Sequence, residues 1–446
     1  MKAEILDSSM RIMENKHSCN TFYVVLKVNN LFDYKCFVQV TKEVIKQLPI
    51  IRSYFQKGVW RDFWGNVDKE YDSFFVQQDI EIQGDDEEIE LINGFTNSNK
   101  KYLRCGIDHP IRFNYFKGKK KGLLVIAVHH TLCDGQPALR LISLIANAYK
   151  EMKYGQHRQN TTINIGKSNP VREIAKSYGN KNLLKMFAYM KTSDCIKDAN
   201  NILQHECDYE KEVDRDRIVI RKSLFCRKDL VKIKEQFPQQ DITLNDIFLC
   251  CGIKVVERFN REKNVNNRAI PISFNINLRR YISKAKNEIF FLSNVFAPQS
   301  IIHDLKSGSS YDSVMKTVKE IKSIPMGLPF YSMIHMMRFF PIVLVEKVVG
   351  GILKEVNNQI YQGLSITNVG KLDSFLEGME DVIEDANIIP TGGKIGFPSA
   401  CITEYKGILT ITFVKYHDEE KLIDIVQQYY EEELSKLMKG CNIYEE

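Results

Sequence analysis

Hydrophobic and polar positions in the first third of the chain follow two periods, one typical of strands and one typical of helices. Residues 21–28 and 111–116 are rich in β-branched and aromatic side chains and lie between turn-forming residues, which predicts strands. Residues 123–128 form a continuous apolar run, which predicts a central strand covered on both faces. Apolar positions three and four residues apart predict a helix after the first strand and another from about Pro137 to Met152.

A polar crossing region follows, and the pattern starts again near Arg217. Thr243 and Asp246 have the spacing of a capping box, which predicts a helix start. Further strands are predicted at 217–226, 269–276, 363–368 and 408–414, and an amphipathic helix over 422–434 closes the chain. A single hydrophobic core stops growing at roughly 250–300 residues. We therefore expect an N-terminal domain over 1–165, a linker over 166–214 and a C-terminal domain over 215–446.

Composition adds little to this picture. The chain of 446 residues is 44% hydrophobic and 26% charged, which is ordinary for a globular protein. Its net charge of +6 is too small to predict nucleic-acid binding. The charge would suit an acidic small molecule, such as a phosphorylated cofactor, or an acidic carrier protein, and it also fits a slightly basic surface without any such role.

Cysteines and apolar runs bear on the compartment. None of the 11 cysteines has C-x-x-C spacing, which favours free thiols in a reducing cytoplasm over disulfides or a zinc site. The N-terminus lacks the apolar core of a signal peptide. The nearest approach to a membrane span, Met336 to Leu353, is interrupted by charges and by Pro341. Methionines and aromatic residues at 333–342 could line a lipid-accepting groove, but a helix that faces the core is the favoured interpretation.

Two adjacent histidines, His129 and His130, follow the strand predicted at 123–128, and three interpretations compete for them. Neighbours on an extended segment point to opposite sides, and no Cys/His cluster lies nearby to complete a metal site. A histidine at a strand end can also serve structure by bonding a backbone carbonyl. In the third interpretation, a neutral imidazole accepts a proton as general base, with its tautomer fixed by a hydrogen bond to the other ring nitrogen. Asp134 would then hold the loop by a buried ion pair with an arginine, and Gly135 would permit a sharp turn.

The run His-His-Thr-Leu-Cys-Asp-Gly at 129–135 resembles the H-H-x-x-x-D-G motif of a large acyltransferase superfamily. Its members include chloramphenicol acetyltransferase, the condensation domains of nonribosomal peptide synthetases, BAHD acyltransferases and alcohol acetyltransferases. Weaker similarities to these families occur in the expected order along the chain: 47–55, 109–113, 243–246, 277–280 with 293–294, and 367–370.

The resemblance implies an α/β fold of two similar domains, each a mixed sheet with helices, and an active-site tunnel between them. It implies that His130 is the general base, with His129 and Gly135 as the other motif positions. Asp134 would be structural and paired with Arg279. The expected oxyanion donors are Thr367 and Asn368; two weaker candidates, Tyr361 and Ser365, lie close to them in sequence. Cys133 occupies a variable position of the motif and is expected only to fill space.

The implied activity is transfer of an acyl group from a thioester, acyl-CoA by preference, to a hydroxyl or amine acceptor. No tightly bound cofactor or metal is expected. The D-F-G-W-G segment of plant BAHD enzymes is absent, and the nearest stretch, 392–397, does not match it. A bacterial-type acetyltransferase or condensation-like protein fits better. Two alternatives stay open: an acyl carrier protein with a phosphopantetheine thioester as donor, and a non-catalytic binding module of the same fold.

Overall fold

The structure is a computed structural model. It describes residues 1–14, 19–65, 70–82, 86–98, 102–155, 170–179, 182, 218–237, 241–265, 268–282, 292–322, 327–359, 363–392, 398–416 and 420–439.

Thirteen strands and twelve α-helices lie in these ranges. The strands are β1 (Thr21–Asn29), β2 (Tyr54–Gln56), β3 (Phe63–Gly65), β4 (Phe75–Asp79), β5 (Ile111–Lys117), β6 (Lys121–His129), β7 (Ile218–Cys226), β8 (Ala269–Asn277), β9 (Phe296–Asp304), β10 (Ser365–Lys371), β11 (Ile383–Ile389), β12 (Ser399–Tyr405) and β13 (Ile408–Tyr416). The helices are α1 (Ile5–Glu14), α2 (Tyr34–Lys46), α3 (Glu87–Thr96), α4 (Gly135–Tyr154), α5 (Pro170–Tyr178), α6 (Arg227–Lys232), α7 (Leu244–Glu262), α8 (Tyr311–Lys322), α9 (Leu328–Met337), α10 (Ile342–Gln359), α11 (Asp373–Leu376) and α12 (Glu420–Lys439).

Two mixed sheets organise these elements, as the sequence predicted. The first has the strand order β11-β1-β6-β5-β4, and the second has the order β7-β13-β12-β10-β8-β9. The apolar run at 123–128 lies in β6, the middle strand of the first sheet, and its side chains are almost completely buried. The prediction of a central strand is therefore confirmed. The capping box at Thr243 is confirmed too, because the Thr243 and Asp246 side chains each bond the other residue's backbone N–H.

Two elements cross between the halves of the chain, and the sequence pattern did not show either. Strand β11 comes from the second half but pairs antiparallel with β1 in the first sheet. Helix α1 begins the chain, yet its Leu6 and Met10 pack in the same apolar cluster as Ile247 and Leu364 of the second half. Each half of the chain therefore contributes one element to the sheet or the core of the other half. The proposed domain boundaries stay a prediction, because residues 156–169 and 183–217 lie outside the described residues.

The second sheet opens between two of its parallel strands. Strands β8 and β10 are paired at Ser365 with Ser273 and at Ile366 with Phe274. Beyond these pairs, β10 stays paired with β12 through Thr367 and Asn368, and a register irregularity follows Asn368. The separation of the two strands leaves a gap in the sheet on the side where the first sheet presents the loop after β6. This gap positions the candidate site.

Candidate active site

His129 ends β6 and His130 begins the loop between β6 and α4, and backbone hydrogen bonds fix both residues. The His129 N–H donates to the Pro110 carbonyl at 2.9 Å, and the His130 N–H donates to the Asn20 carbonyl at 2.8 Å. Asp134 caps helix α4, because its carboxylate accepts a hydrogen bond from the Gln136 N–H at 3.1 Å. A short polar residue at this position satisfies one of the free N–H groups of the first helical turn. The strand end and the helix start therefore set the path of the loop between them.

The structure brings Asp134 and Arg279 together. One guanidinium nitrogen, Nη1, lies 3.1 Å from each carboxylate oxygen of Asp134, and Nη2 donates to the Ser293 carbonyl at 3.2 Å. The Val295 N–H donates to the same carboxylate at 2.7 Å. The Asp134 and Arg279 side chains are only 9% and 13% exposed. With its oxygens engaged by an arginine and two backbone N–H groups, Asp134 holds the loop against the second half of the chain.

His130 lies in largely apolar surroundings at the wall of a cavity. Its ring centroid is 4.8 Å from that of Phe22 and 5.6 Å from that of Phe296. Burial lowers the pKa of His130 to about 4, although the Asn294 amide and the Asp134 carboxylate act in the opposite direction. The charged imidazolium is disfavoured where water is excluded. The ring is therefore neutral at physiological pH, the protonation state that a general base requires.

Asn294 fixes the orientation of this ring. Its amide nitrogen donates to the His130 carbonyl at 2.6 Å and to the Asp7 carboxyl at 2.8 Å. Its amide oxygen then faces Nδ1 of His130 at 3.4 Å. An amide oxygen can only accept, so this network assigns the proton of His130 to Nδ1 and the lone pair to Nε2.

Helix α1 provides the far end of this chain of contacts. Asp7 is buried, and burial raises the pKa of its carboxyl well above the usual range. Its second oxygen lies 3.3 Å from the Glu4 N–H, which donates to it. The N-terminal helix thus anchors Asn294, and through Asn294 it fixes His130.

His129 points away from the cavity. Its Nδ1 accepts a hydrogen bond from the Thr131 N–H at 3.1 Å and lies 2.7 Å from the Thr131 hydroxyl. Its Nε2 lies 3.2 Å from a Glu14 carboxylate oxygen, without the alignment of a hydrogen bond. The two histidines therefore face opposite sides of the chain, and only His130 reaches the cavity.

The cavity encloses about 780 Å³, part of it open to solvent, and both sheets contribute to its walls. Five of the predicted site residues line it beside His130: Asp134, Gly135, Arg279, and Thr367 and Asn368 at the gap in the second sheet. The Asn275 side chain donates to the Thr367 hydroxyl oxygen at 3.0 Å. With its oxygen used as acceptor there, the Thr367 hydroxyl keeps its proton available to the cavity. The Asn368 amide nitrogen instead donates to Asn245 at 3.3 Å.

Gly135 has a different reason to be glycine from the one expected. Its φ angle is not positive, so the turn from β6 into α4 does not depend on a backbone conformation that only glycine adopts readily at this position. A Cβ atom built on Gly135 would meet no protein atom within 4 Å, and the residue lines the cavity. A methyl group there would therefore extend into cavity space.

The remaining candidates have simpler placements. Ser365 lies on β10 before the strands separate, and it is not among the cavity-lining residues. Cys133 is buried, and burial raises the pKa of its thiol well above the usual value, which suits a packing role. Tyr361 lies outside the described residues. Among the residues that the structure describes, no group of three or more His, Cys, Asp or Glu side chains could hold a metal ion.

Sequence reasoning gave no role to several residues at this site. Asn294 was noted only as part of a similar segment, and Asp7 and Asn275 were not considered. Residues 293–295 contact Arg279, His130 and Asp134 in turn, which no local periodicity reveals. The one available signal for Asp7 was an acidic residue beside the helically spaced apolar positions Leu6, Met10 and Met13.

Comparisons with known proteins were made on sequence and on structure. No curated protein sequence matches the chain significantly. The epimerization domain from the third module of tyrocidine synthetase B aligns with a TM-score of 0.69 at 13% identity, over 99% of this chain and 97% of that one. The first condensation domain of the CDA synthetase aligns with a TM-score of 0.68 at 11% identity, over 98% and 95% of the two chains.

An acetyltransferase has a similar structure. The TRI3 trichothecene 15-O-acetyltransferase from Fusarium sporotrichioides aligns with a TM-score of 0.63 at 7% identity, over 98% of this chain and 95% of that one. At these identities the solved structures establish the two-lobed fold that the sequence predicted, and the fold alone. In the described residues no helix is both long enough and apolar enough to cross a membrane. The model of the condensation domain family matches residues 10–266, more than half of the chain, and the chain belongs to that family.

Proposed function

We propose that the protein transfers an acyl group from a thioester, acyl-CoA by preference, to a hydroxyl or amine acceptor, with His130 as general base. The observation that carries this proposal is the state of His130: a neutral imidazole on a cavity wall, with Nδ1 held by Asn294 and Nε2 left to accept a proton. Membership of the condensation domain family and the fold shared with an acetyltransferase both support acyl transfer.

In the proposed reaction, His130 takes one proton from the acceptor and later gives it to the leaving thiolate. The acceptor's O–H or N–H proton moves to Nε2 while the acceptor atom bonds to the thioester carbon. Collapse of the tetrahedral intermediate then breaks the carbon–sulfur bond, and the thiolate takes the proton from His130. The Asp134 carboxylate favours the transient imidazolium, since its charge acts to raise the pKa of His130. Because Arg279 and two backbone N–H groups engage Asp134, its role is to position the loop.

Thr367 is our candidate for the donor that stabilises the oxyanion. Its hydroxyl oxygen accepts from Asn275, so its own proton can point into the cavity. One well-placed donor of this kind contributes about 3–4 kcal/mol to transition-state stabilisation. Asn368 already donates to Asn245, which favours Thr367 over Asn368 for this role.

An acyl carrier protein is the alternative donor that the sequence left open. Condensation domains of peptide synthetases work on thioesters held by carrier proteins, and the family match raises the same prospect here. The proposed donor would then be an acyl-phosphopantetheine arm on an acyl carrier protein. As a third possibility, a non-catalytic module of the same fold would retain ligand binding without turnover. We place the protein in the cytoplasm as part of the proposal; the eight described cysteines, all free thiols, fit a reducing compartment.

The test is release of free thiol from a panel of acyl-CoAs and acyl-loaded carrier proteins, each with a mixed pool of alcohols and amines. Release that needs both an acceptor and His130 would establish acyl transfer, and the donor that works identifies the class. His130→Ala is expected to lower turnover by about 10²–10⁴-fold, the usual contribution of a general base. Its circular dichroism spectrum and melting temperature report whether the fold is kept. Absence of thiol release from every donor would contradict the proposal.

A further inference from the structure

An exposed apolar patch lies on a surface that the candidate active site does not use. Its members are Val59, Trp60, Phe339, Phe340, Val343 and Leu344. Val59 is 71% exposed, and Trp60 and Phe339 are each 66% exposed. For residues 333–342 the sequence favoured a core-facing helix over a lipid-accepting groove. Ile334 and Ile342 are buried, but a core-facing role is wrong for Phe339 and Phe340.

Two distant segments form this patch together. The Ile342 N–H donates to the Trp60 carbonyl at 3.1 Å, and the Val343 N–H lies 3.5 Å from the Val59 carbonyl. The Arg61 guanidinium donates to the carbonyls of Trp60 and Phe340. These contacts join the loop after β2 to the junction of helices α9 and α10. Contiguous exposed apolar surface of this kind marks an interaction site more often than scattered single residues do.

Buried contacts hold the loop that presents Val59 and Trp60. The buried Asp62 carboxylate accepts from the Arg11 guanidinium at 2.9 Å and from the Gly58 N–H at 3.1 Å. A Cβ on Gly58 would lie 1.9 Å from the Arg61 carbonyl oxygen, so the turn requires glycine. A buried ion pair and a tight turn therefore hold Trp60 outward. Its exposure is a built feature of the fold.

Helix α10 has apolar side chains on both faces of its first turns. Ile342 and Val345 face the core, whereas Val343, Leu344 and Val348 are exposed. A helix on the surface of a globular protein normally has a polar outer face, and one that is apolar all round is normally covered. The outward face of α10 is therefore suited to an apolar environment outside the protein.

Cations surround the patch. Lys57, Arg61, Arg338 and Lys347 lie within three positions of its members in sequence, and the Arg338 guanidinium lies 4.8 Å from the centroid of the Phe339 ring. Glu346 is the acidic residue among them, and it is neutralised by Lys57 at 2.9 Å and by Arg11 at 3.5 Å.

Two further charged residues, Glu4 and Arg172, interact with the basic residues beside the patch. Glu4 lies close to Arg338 and Arg61, and burial raises its pKa to about 7, so it carries only part of a negative charge near neutral pH. Burial and repulsion from Arg172 lower the pKa of Arg338. The rim of the patch is positive overall and complements an anionic surface.

We propose that this patch docks the protein on the surface of an anionic lipid bilayer. Trp and Phe side chains are suited to the boundary between headgroups and acyl chains, and Lys and Arg beside them attract anionic headgroups. The long basic side chains can extend to the phosphates while their stems stay in apolar contact. Docking through this face would hold the enzyme at a membrane without a spanning helix. This proposal is independent of the acyl-transfer reaction.

The test is co-sedimentation of the full chain with phosphatidylcholine vesicles, with and without phosphatidylglycerol. We expect binding to the anionic vesicles, weakened by salt, and little binding to the neutral ones. Trp60→Ser, Phe339→Ser and Phe340→Ser combined should lower the partition coefficient by at least about tenfold. A matched control, Leu31→Ser, Ile107→Ser and Leu224→Ser combined, removes three similarly exposed apolar residues outside the patch and should bind as the native protein does.

Three results would overturn the proposal. The first is absence of binding to either vesicle. The second is equal loss of binding in the patch variant and the control variant, which would show unspecific hydrophobic adsorption. The third is a dimer, detected by light scattering without vesicles, that only the patch variant abolishes, because the patch would then join two copies of the chain. Melting temperatures of both triple variants within a few degrees of the native value confirm that the fold is intact.

Discussion

The amide oxygen of Asn294 lies 3.4 Å from Nδ1 of His130, although the two residues are 164 positions apart. The amide nitrogen of Asn294 bonds the His130 carbonyl and the buried Asp7 carboxyl, which prevents the amide from turning over. This relationship sets the tautomer of His130. It also makes Asn294 a positioning residue for the proposed base.

Asn294→Asp is expected to raise the pKa of His130. A carboxylate in place of the amide oxygen would favour the imidazolium, and an opposite charge at this distance shifts a pKa by about 1–3 units. Asp7 has a raised pKa, so it can carry a proton and donate it to the new carboxylate. The acid limb of the pH profile of kcat/KM should move upward by the same amount. An unchanged limb, with activity merely reduced, would show that Asn294 has a structural role only.

The pH profile of the native protein provides its own test. Burial lowers the pKa of His130 from 6.5 to about 4, so the imidazole stays neutral until the pH falls towards 4. The acid limb of kcat/KM is therefore expected near pH 4. A limb near 6.5 would show that His130 is fully hydrated.

Thermal stability should depend on the same group. Between pH 6.5 and 4 the unfolded chain binds a proton at this residue that the folded protein does not, so stability is lost as the pH falls through that window. His130→Ala removes this contribution. The drop in melting temperature from pH 7 to pH 5 should be smaller in the variant than in the native protein. An equal drop in both would contradict the assignment.

Local patterns in the sequence were enough to predict β1, β5, β6, β7, β8, β10 and β13. The resemblance carried by the motif at 129–135 also led to the prediction that Asp134 pairs with Arg279, which the structure shows. Strand β11 was missed because its partner in the first sheet lies more than 350 residues away, between Tyr23 and Ile389. The Asp7–Asn294–His130 chain was missed for the same reason. Its members come together because α1 packs in the apolar cluster of the second half of the chain. Contacts between residues so far apart in sequence leave no periodic pattern of apolar positions.

The pair of Asp134 and Arg279 should be worth several kcal/mol to the folded state. Asp134→Ala leaves a largely buried guanidinium without its carboxylate and removes the cap of α4, so a loss of about 3–5 kcal/mol is expected. Asp72→Ala breaks the exposed contact with Lys42, where Asp72 is 94% exposed, and should cost under about 1 kcal/mol. Chemical denaturation measures both. Similar losses in the two variants would show that the buried pair contributes little.

Gly135→Ala should separate stability from activity. A Cβ there meets no protein atom and the residue opens helix α4, so the melting temperature should stay the same or rise slightly. The added methyl group would occupy cavity space, so kcat/KM should fall, and Gly135→Val should lower it further.

Gly155→Ala is the matched control for Gly135. Gly155 also has open space around it, but its φ of +64° at the end of α4 favours glycine. The control should lower the melting temperature and leave kcat/KM unchanged. If Gly135→Ala kept full activity towards every acceptor, substrate would not occupy that part of the cavity.

Thr367→Val tests the proposed oxyanion donor. The substitution keeps the shape of the side chain and the β-branched strand preference but removes the hydroxyl, so kcat should fall by about 10²–10³-fold with little change in KM. Thr367→Ser restores a hydroxyl and should recover most of the rate. Asn275→Ala removes only the bond that orients the Thr367 hydroxyl, so it should cause a smaller loss. Steady-state kinetics at saturating donor measures all three, and a Thr367→Val variant as fast as the native enzyme would assign oxyanion stabilisation to another group.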